Sequence, residues 1–502
     1  MGAIAGIISK DKKPIRNLLI QMLTKMNIPV YDGYELLVGK NHVTANNLKS
    51  IELSVSNDAI GIGTAYSKNN KTNIHSLLSK DSFYTYTGRL SNTDCLVDPR
   101  PGEGYDLKFA IPVLFKEQVD GFALVVKHRN EITIARDIIG IKPLFIAENV
   151  EYTAFASEKK GLWELGQVDS VRPIYPGELL KISAKSINSS NLRTELRNEI
   201  KPDSFEACQN KVKTLLLEAI SKRLISDRVA ILFSGGLDST IIAQSINQMK
   251  NSPKIQLFTA CFKDGKDHEN SKNVAKKLGL PLTIVELTDE IIEDKLPEII
   301  YNLETPDTLA VEIAIPLYFA AKAAAGEGFE YILSGQGADE LFAGYSRYER
   351  ILKLNDYQKL HETLYDDVMT LWSHDLERDS KISSVNDIEL SLPYLDLDFI
   401  LYSISIPPEY KLKEVENQYF RKYMLYSLGR YLGLDEEILK IPKTAAQYGS
   451  GASKSLIRIA AKSGFDKDQA RELGCKTTTE ILTNRIFNSL DVPDELKKTD
   501  TE

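Results

Sequence analysis

The chain has 502 residues, 43% of them apolar, more than one ordinary hydrophobic core accommodates, so at least two domains are expected. Its net charge of -8 offers no surface for a polyanion, which excludes nucleic acid as an expected partner. No run of about 18 uncharged apolar residues appears, and no basic stretch precedes an apolar core at the N-terminus. Neither a membrane span nor a secretory signal is therefore expected, and the protein should be cytosolic.

Up to about Ser183 the pattern is of short alternating runs between turns: "ELLVGK", "IELSVS", "SFYTYTG", "FALVVKH", "EITIARD" and "TAFASE". This rhythm predicts antiparallel strands at hairpin spacing. Residues 185–203 are polar with little apolar periodicity and read as a linker. Beyond it, helix and strand alternate. "FEACQNKVKTLLLEAISKRL" has helical spacing, "RVAILFS" is a buried strand, "STIIAQSINQM" a helix and "IQLFTACF" another strand. A helix at "ENSKNVAKKLG", strands at "LTIVEL" and "EYILS" and a helix at "EIAIPLYFAAKAAA" continue the series. That order predicts a parallel, doubly wound sheet. From about Ile351 the chain turns mainly helical, and 496–502 reads as a frayed tail.

Cys95, Cys208, Cys261 and Cys475 lie far apart without a CxxC pair, and the six histidines show no metal-ligand spacing. Neither a disulfide framework nor a zinc site is expected. The strongest chemical signal is "RVAILFSGGLDSTII", an apolar strand that ends in Ser234-Gly235-Gly236-Leu237-Asp238-Ser239-Thr240 and passes directly into a helix. Two glycines let the backbone come close to an anion, the helix N-terminus faces it, and the hydroxyls of Ser234, Ser239 and Thr240 add donors. Asp238 supplies the hard oxygen that Mg²⁺ bridging phosphates would need. There is no GxxxxGK[ST], so this is not the usual phosphoryl-transfer loop.

SGGxDS resembles the PP-loop of enzymes that cleave ATP between the α and β phosphates. A second strand-to-helix turn, "EYILSGQGADELFAGYSRYER", is similar to the SGxGxDExxxGY signature of class B asparagine synthetases. "RDIIGIKPLF", "FASEKKGL", "PGELLKI", "ELSLPYLD" and "PKTAAQYGSG" extend that resemblance across both halves of the chain. The fold it implies is α/β. An N-terminal Ntn-hydrolase-like αββα sandwich of the class II glutamine-amidotransferase type would occupy 1–184, followed by the linker 185–203. A doubly wound PP-loop ATP-pyrophosphatase domain, adenine nucleotide alpha hydrolase-like, would occupy 204–495. The resemblance further implies adenine contacts from Leu232 and Ala260, nucleotide contacts from Ser334 and Gly335, and Mg²⁺ held by Asp238 and Asp339. Lys443 matches the family's lysine that steadies an acyl-adenylate, with spacing most similar to that in β-lactam synthetases.

Four sites depart from the family. Gln336 stands where most class B enzymes have Glu and cannot take a proton. Ser391 replaces the Arg of ExRxPxLD, with consequences for a substrate carboxylate or for local packing. The family's N-terminal nucleophile is a cysteine exposed by removal of Met, whereas this chain has Gly2, which cannot begin acyl-enzyme chemistry. Thr87-Gly88-Arg89 likewise replaces Asn-Gly-Glu of the glutamine pocket. The resemblance therefore implies a ligase that uses ATP and Mg²⁺ to adenylate aspartate, with free ammonia or a separate ammonia-supplying partner, and is compatible with a homodimer. Adenylation of another carboxylate to form a lactam or amide, and a non-catalytic nucleotide-binding pseudoenzyme, are the alternatives.

Overall fold

The computed structural model describes residues 2–497 except 27–30, 53–57, 68–73, 79–81, 91–112, 115, 167–170, 194–198, 202 and 416–417. Antiparallel pairing dominates the first 191 residues. The strands are β1 (Gly2–Ser9), β2 (Gly33–Val38), β3 (Asn41–Ala45), β4 (Ile60–Tyr66), β5 (Ile74–Leu78), β6 (Ser82–Leu90), β7 (Gln118–His128), β8 (Glu131–Arg136), β9 (Phe145–Glu148), β10 (Tyr152–Ala156), β11 (Arg172–Pro173), β12 (Glu178–Ile182) and β13 (Ile187–Asn191). They form a seven-stranded sheet ordered β11-β9-β10-β1-β4-β2-β3 and a six-stranded sheet ordered β13-β12-β8-β7-β6-β5.

Alternation along β1 shows how the sequence builds the layers. Ala3, Ala5 and Ile7 face a core shared with Leu19, Met22 and Leu23 of the helix Arg16–Lys25, whereas Ile4 and Ile8 face Phe83, Val125 and Ile134 of the second sheet. A period of two thus sends one set of side chains to a helix and the other to a sheet. On its far face the second sheet contributes Tyr84, Tyr86, Leu124 and Val126 to the core of the C-terminal half.

Two readings of local structure change. Ile51 and Glu52 of "IELSVS" belong to a short helix, Leu48–Glu52, and the next five residues lie outside those described. Within 185–203, Ile187–Asn191 pairs with β12 as an edge strand, four of its five residues exposed, so low apolar content marked an edge rather than a linker. The tail residues 498–502 also lie outside the described set.

The C-terminal half is built on β14 (Arg228–Leu232), β15 (Lys254–Cys261), β16 (Leu282–Glu286), β17 (Tyr331–Leu333) and β18 (Glu389–Ser391). All neighbours are parallel, in the order β16-β15-β14-β17-β18. Chain direction along the sheet reverses at β14, so β14 and β17 flank the crevice where such sheets bind ligands. The helix Thr308–Gly326 is long and apolar enough to cross a membrane, yet more than half of that stretch is buried within the protein.

Candidate active site

The loops after β14 and β17 meet at the carboxyl end of the sheet. Gly335 lies so close to the first loop that a Cβ there would stand 2.8 Å from Asp238 Cβ and 3.3 Å from Ser239 N. Gly235 has φ +73°, and a Cβ there would lie 2.6 Å from the Asn270 backbone, so an L side chain fits neither the conformation nor the space. Between the loops opens a cavity of about 430 Å³, a volume suited to a nucleotide-sized ligand. Leu232, Ser234, Gly236, Asp238, Ser239, Ala260, Ser334, Gly335, Gln336, Asp339 and Lys443 line it together.

Two expected contacts are not in the wall. Thr240 is fully buried and donates its hydroxyl to the Gly236 carbonyl at 2.7 Å, a bond back along its own helix Leu237–Asn247, so it is not presented to a phosphate. Gly235 packs against the start of the neighbouring helix rather than facing the cavity. Ser391 is also outside the wall. Fully buried, it donates its hydroxyl to Asp120 Oδ2 at 2.8 Å, and the adjacent Leu392 N–H donates to Asp120 Oδ1 at 3.0 Å. The nearest cation to Asp120 is Arg223, with Nε 2.8 Å from Asp120 Oδ1 and Nη1 3.0 Å from Asp396 Oδ2, and Arg89 Nη2 lies 3.6 Å from Asp120 Oδ2. Replacement of the family's Arg by Ser391 thus concerns the packing of β7 on the C-terminal half.

In the wall of the cavity, two carboxylates meet two ammonium groups. Lys443 Nζ is 2.7 Å from Asp339 Oδ2. Lys422, which no motif in the sequence singled out, places Nζ 2.5 Å from Asp238 Oδ2 and 2.7 Å from Asp339 Oδ1. Burial works against ionisation of Asp339, but Lys422 and Lys443 prevail and hold its carboxyl well below the usual range. Burial and the neighbouring Asp339 push Asp238 upward despite Lys422.

The donor set suits Mg²⁺. Asp238 Oδ1 is buried without a hydrogen-bond partner, and hard carboxylate oxygens of this kind, completed by phosphate oxygens and water, are what Mg²⁺ takes. Five further charged residues of the wall were not legible in the sequence: Arg421, Lys440, Asp267, whose carboxyl burial pushes up to about 7, and the adjacent Arg378 and Asp379, joined by a 2.7 Å bond. No spacing rule connects positions so far apart.

A second, much smaller pocket of about 30 Å³ lies beside Gly2, walled in part by Thr87, Gly88, Lys142, Glu158 and Glu389. Its volume admits little more than a water or two. Lys142 is paired with Glu389, and burial brings its ammonium down to about 8. Arg89 turns elsewhere, donating to the Lys222 carbonyl at 2.9 Å.

Residues 211–358 and 353–484, together more than half the chain, match the asparagine synthase family. The chain belongs to that family. Residues 115–164 match a glutamine amidotransferase domain. A putative asparagine synthetase [glutamine-hydrolyzing] 1 of Methanocaldococcus jannaschii is 31% identical over 404 residues, covering 71% of this chain and 74% of that protein. The asparagine synthetase of Brassica oleracea is 26% identical over 343 residues, covering 66% of this chain and 57% of the plant enzyme. Asparagine synthetase 1 of Lotus japonicus is 27% identical, covering 66% and 56%. The match therefore spans little more than half the length of these two plant relatives. The SGGLDS and SGQGADE loops and the cavity between them all lie within the residues matched to the family.

Proposed function

We propose that the protein is an ATP-dependent carbon–nitrogen ligase that converts aspartate to asparagine with ammonia. The single observation that carries this reading is the convergence of both strand-to-helix loops, the two aspartates and Lys443 on one cavity within a chain of the asparagine synthase family. Asp238 and Asp339 would hold Mg²⁺, which supplies neutralisation of the departing pyrophosphate.

The chain's own residues do the rest. Amides of the Ser234–Ser239 loop bind and orient the phosphates, and Leu232 and Ala260 pack on the adenine. The side-chain carboxylate of aspartate attacks the α-phosphorus, a phosphorus–oxygen bond forms, and the bond to pyrophosphate breaks. Lys443 places its charge where negative charge accumulates during that step. Ammonia nitrogen then attacks the acyl carbon, the bond from carbon to the phosphate oxygen breaks, AMP leaves with its electron pair, and the nitrogen loses a proton. Gln336 serves as a hydrogen-bond partner for the acyl-adenylate, and the proton leaves through another group or solvent.

Ammonia arrives free or from a separate partner. Gly2 carries no side-chain nucleophile, so the N-terminal half acts as a structural unit. Incubation with ATP, Mg²⁺ and a panel of carboxylates, with ammonium or glutamine, tests this by release of AMP and pyrophosphate. Aspartate with ammonium should be the productive pair, glutamine should yield no glutamate, and turnover only with another carboxylate would replace the substrate assignment. Nucleotide binding with no turnover on any carboxylate would leave a pseudoenzyme.

A further inference from the structure

Lys422 and Lys443 touch the same aspartate but are built differently. Lys443 is one-third exposed at the edge of the cavity and reaches Asp339 alone. Lys422 is 5% exposed and touches both carboxylates. Its backbone is fixed from two sides. Its N–H donates to the Phe342 carbonyl at 3.1 Å, just beyond Asp339, and its carbonyl accepts from Tyr426 in the first turn of the helix Tyr423–Tyr431. It also holds φ +53°, a left-handed conformation that costs a lysine about 1 kcal/mol or more and persists only where surroundings impose it. Gly344 closes over the side chain: a Cβ there would lie 1.8 Å from Asp339 Oδ1 and 2.4 Å from Lys422 Cε.

With both lysines charged and both aspartates ionised, the four groups sum to zero. Such a site presents no net negative charge to a free divalent cation, and Mg²⁺ gives up its water reluctantly. A nucleotide polyphosphate brings the missing negative charge. We infer that Lys422 is a positioning residue that stands in for the metal: it holds Asp238 and Asp339 together in the nucleotide-free protein and makes metal capture depend on nucleotide. This rests on the reading that the two aspartates hold the metal.

Mn²⁺ binding to the full chain, followed by electron paramagnetic resonance with and without α,β-methylene-ATP, tests it. Wild type should bind Mn²⁺ at least tenfold more tightly with the analogue than without. Lys422→Met should bind Mn²⁺ without nucleotide at least tenfold more tightly than wild type, and Mn²⁺ alone should raise its melting temperature, whereas a purely structural lysine would give instability that Mn²⁺ does not relieve. Lys422→Gln, which retains one hydrogen-bond donor, is the companion should the Met variant fail to fold. Lys443→Met should shift nucleotide-free Mn²⁺ affinity less than threefold. Equal nucleotide-free affinity in wild type and both Lys422 variants would overturn the inference while leaving the metal site standing. Absence of Mn²⁺ binding to nucleotide-loaded wild type would overturn the metal assignment itself, and with it the role of Lys422.

Discussion

Gly236→Ala separates a glycine required by the fold from one required by a ligand. The residue has φ -73° and ψ 165°, a conformation open to alanine, and the nearest atom to a new Cβ is Ser234 Oγ at 3.2 Å, on a side chain that rotates. The folded state should therefore be unharmed, and loss of chain freedom in the unfolded state should stabilise the variant by about 0.4 to 1 kcal/mol. In the wall of the cavity, however, the methyl group would occupy the space through which a phosphate approaches the loop amides. Losing one hydrogen bond to a charged group costs roughly 1.5 to 3 kcal/mol, or on the order of 10- to 150-fold in affinity. Gly235→Ala is the contrasting variant, since it meets both a positive φ and the Asn270 backbone at 2.6 Å and should lower the melting temperature. Equilibrium binding of ATP and thermal melting on both proteins decide the matter. Normal ATP affinity in a well-folded Gly236→Ala protein would refute the phosphate-loop reasoning.

Lys443→Ala should slow single-turnover pyrophosphate release by about 2.7 to 4 kcal/mol of barrier while leaving nucleotide affinity nearly unchanged, because its charge meets a transition state rather than bound ATP; weakened binding with an unchanged rate would reassign it to a phosphate contact. Arg223→Met removes the nearest cation from Asp120 and Asp396 in a fully buried site, leaving Arg89 3.6 Å from Asp120 and Lys222 3.2 Å from Asp396, and should cost at most about 3 to 5 kcal/mol in denaturant unfolding, so a loss below about 1 kcal/mol would contradict the network. Asp267 carries a folded-state value of about 7 against 3.8 unfolded, so the folded protein holds the proton longer and stability falls as pH rises from about 4 through 7. Asp267→Asn removes that slope and should melt higher than wild type at pH 8, by roughly 4 kcal/mol of stability as an upper bound, and alike near pH 4; a gap independent of pH would exclude the effect.

What the sequence determined by itself is what short-range pattern encodes. Period-two alternation gave the antiparallel strands, the switch to helical spacing near Phe205 gave the parallel half, and SGGLDS and SGQGADE each carry their strand, glycines and acidic residue within a few positions. Absence of a nucleophile at Gly2 was equally local. Tertiary structure decided whatever depended on which distant groups share a volume. Lys422 lies 184 residues from Asp238 and was anonymous until the chain brought it between two carboxylates. Thr240 looked like a phosphate donor until its hydroxyl found the carbonyl one helical turn earlier. Ser391 left a substrate carboxylate and local packing both open until burial placed it against Asp120, with Arg223 supplying the nearest charge. The reason is physical: backbone preference and amphipathic period act over a few residues, whereas desolvation and Coulomb energy depend on three-dimensional distance, and the fold alone sets that distance.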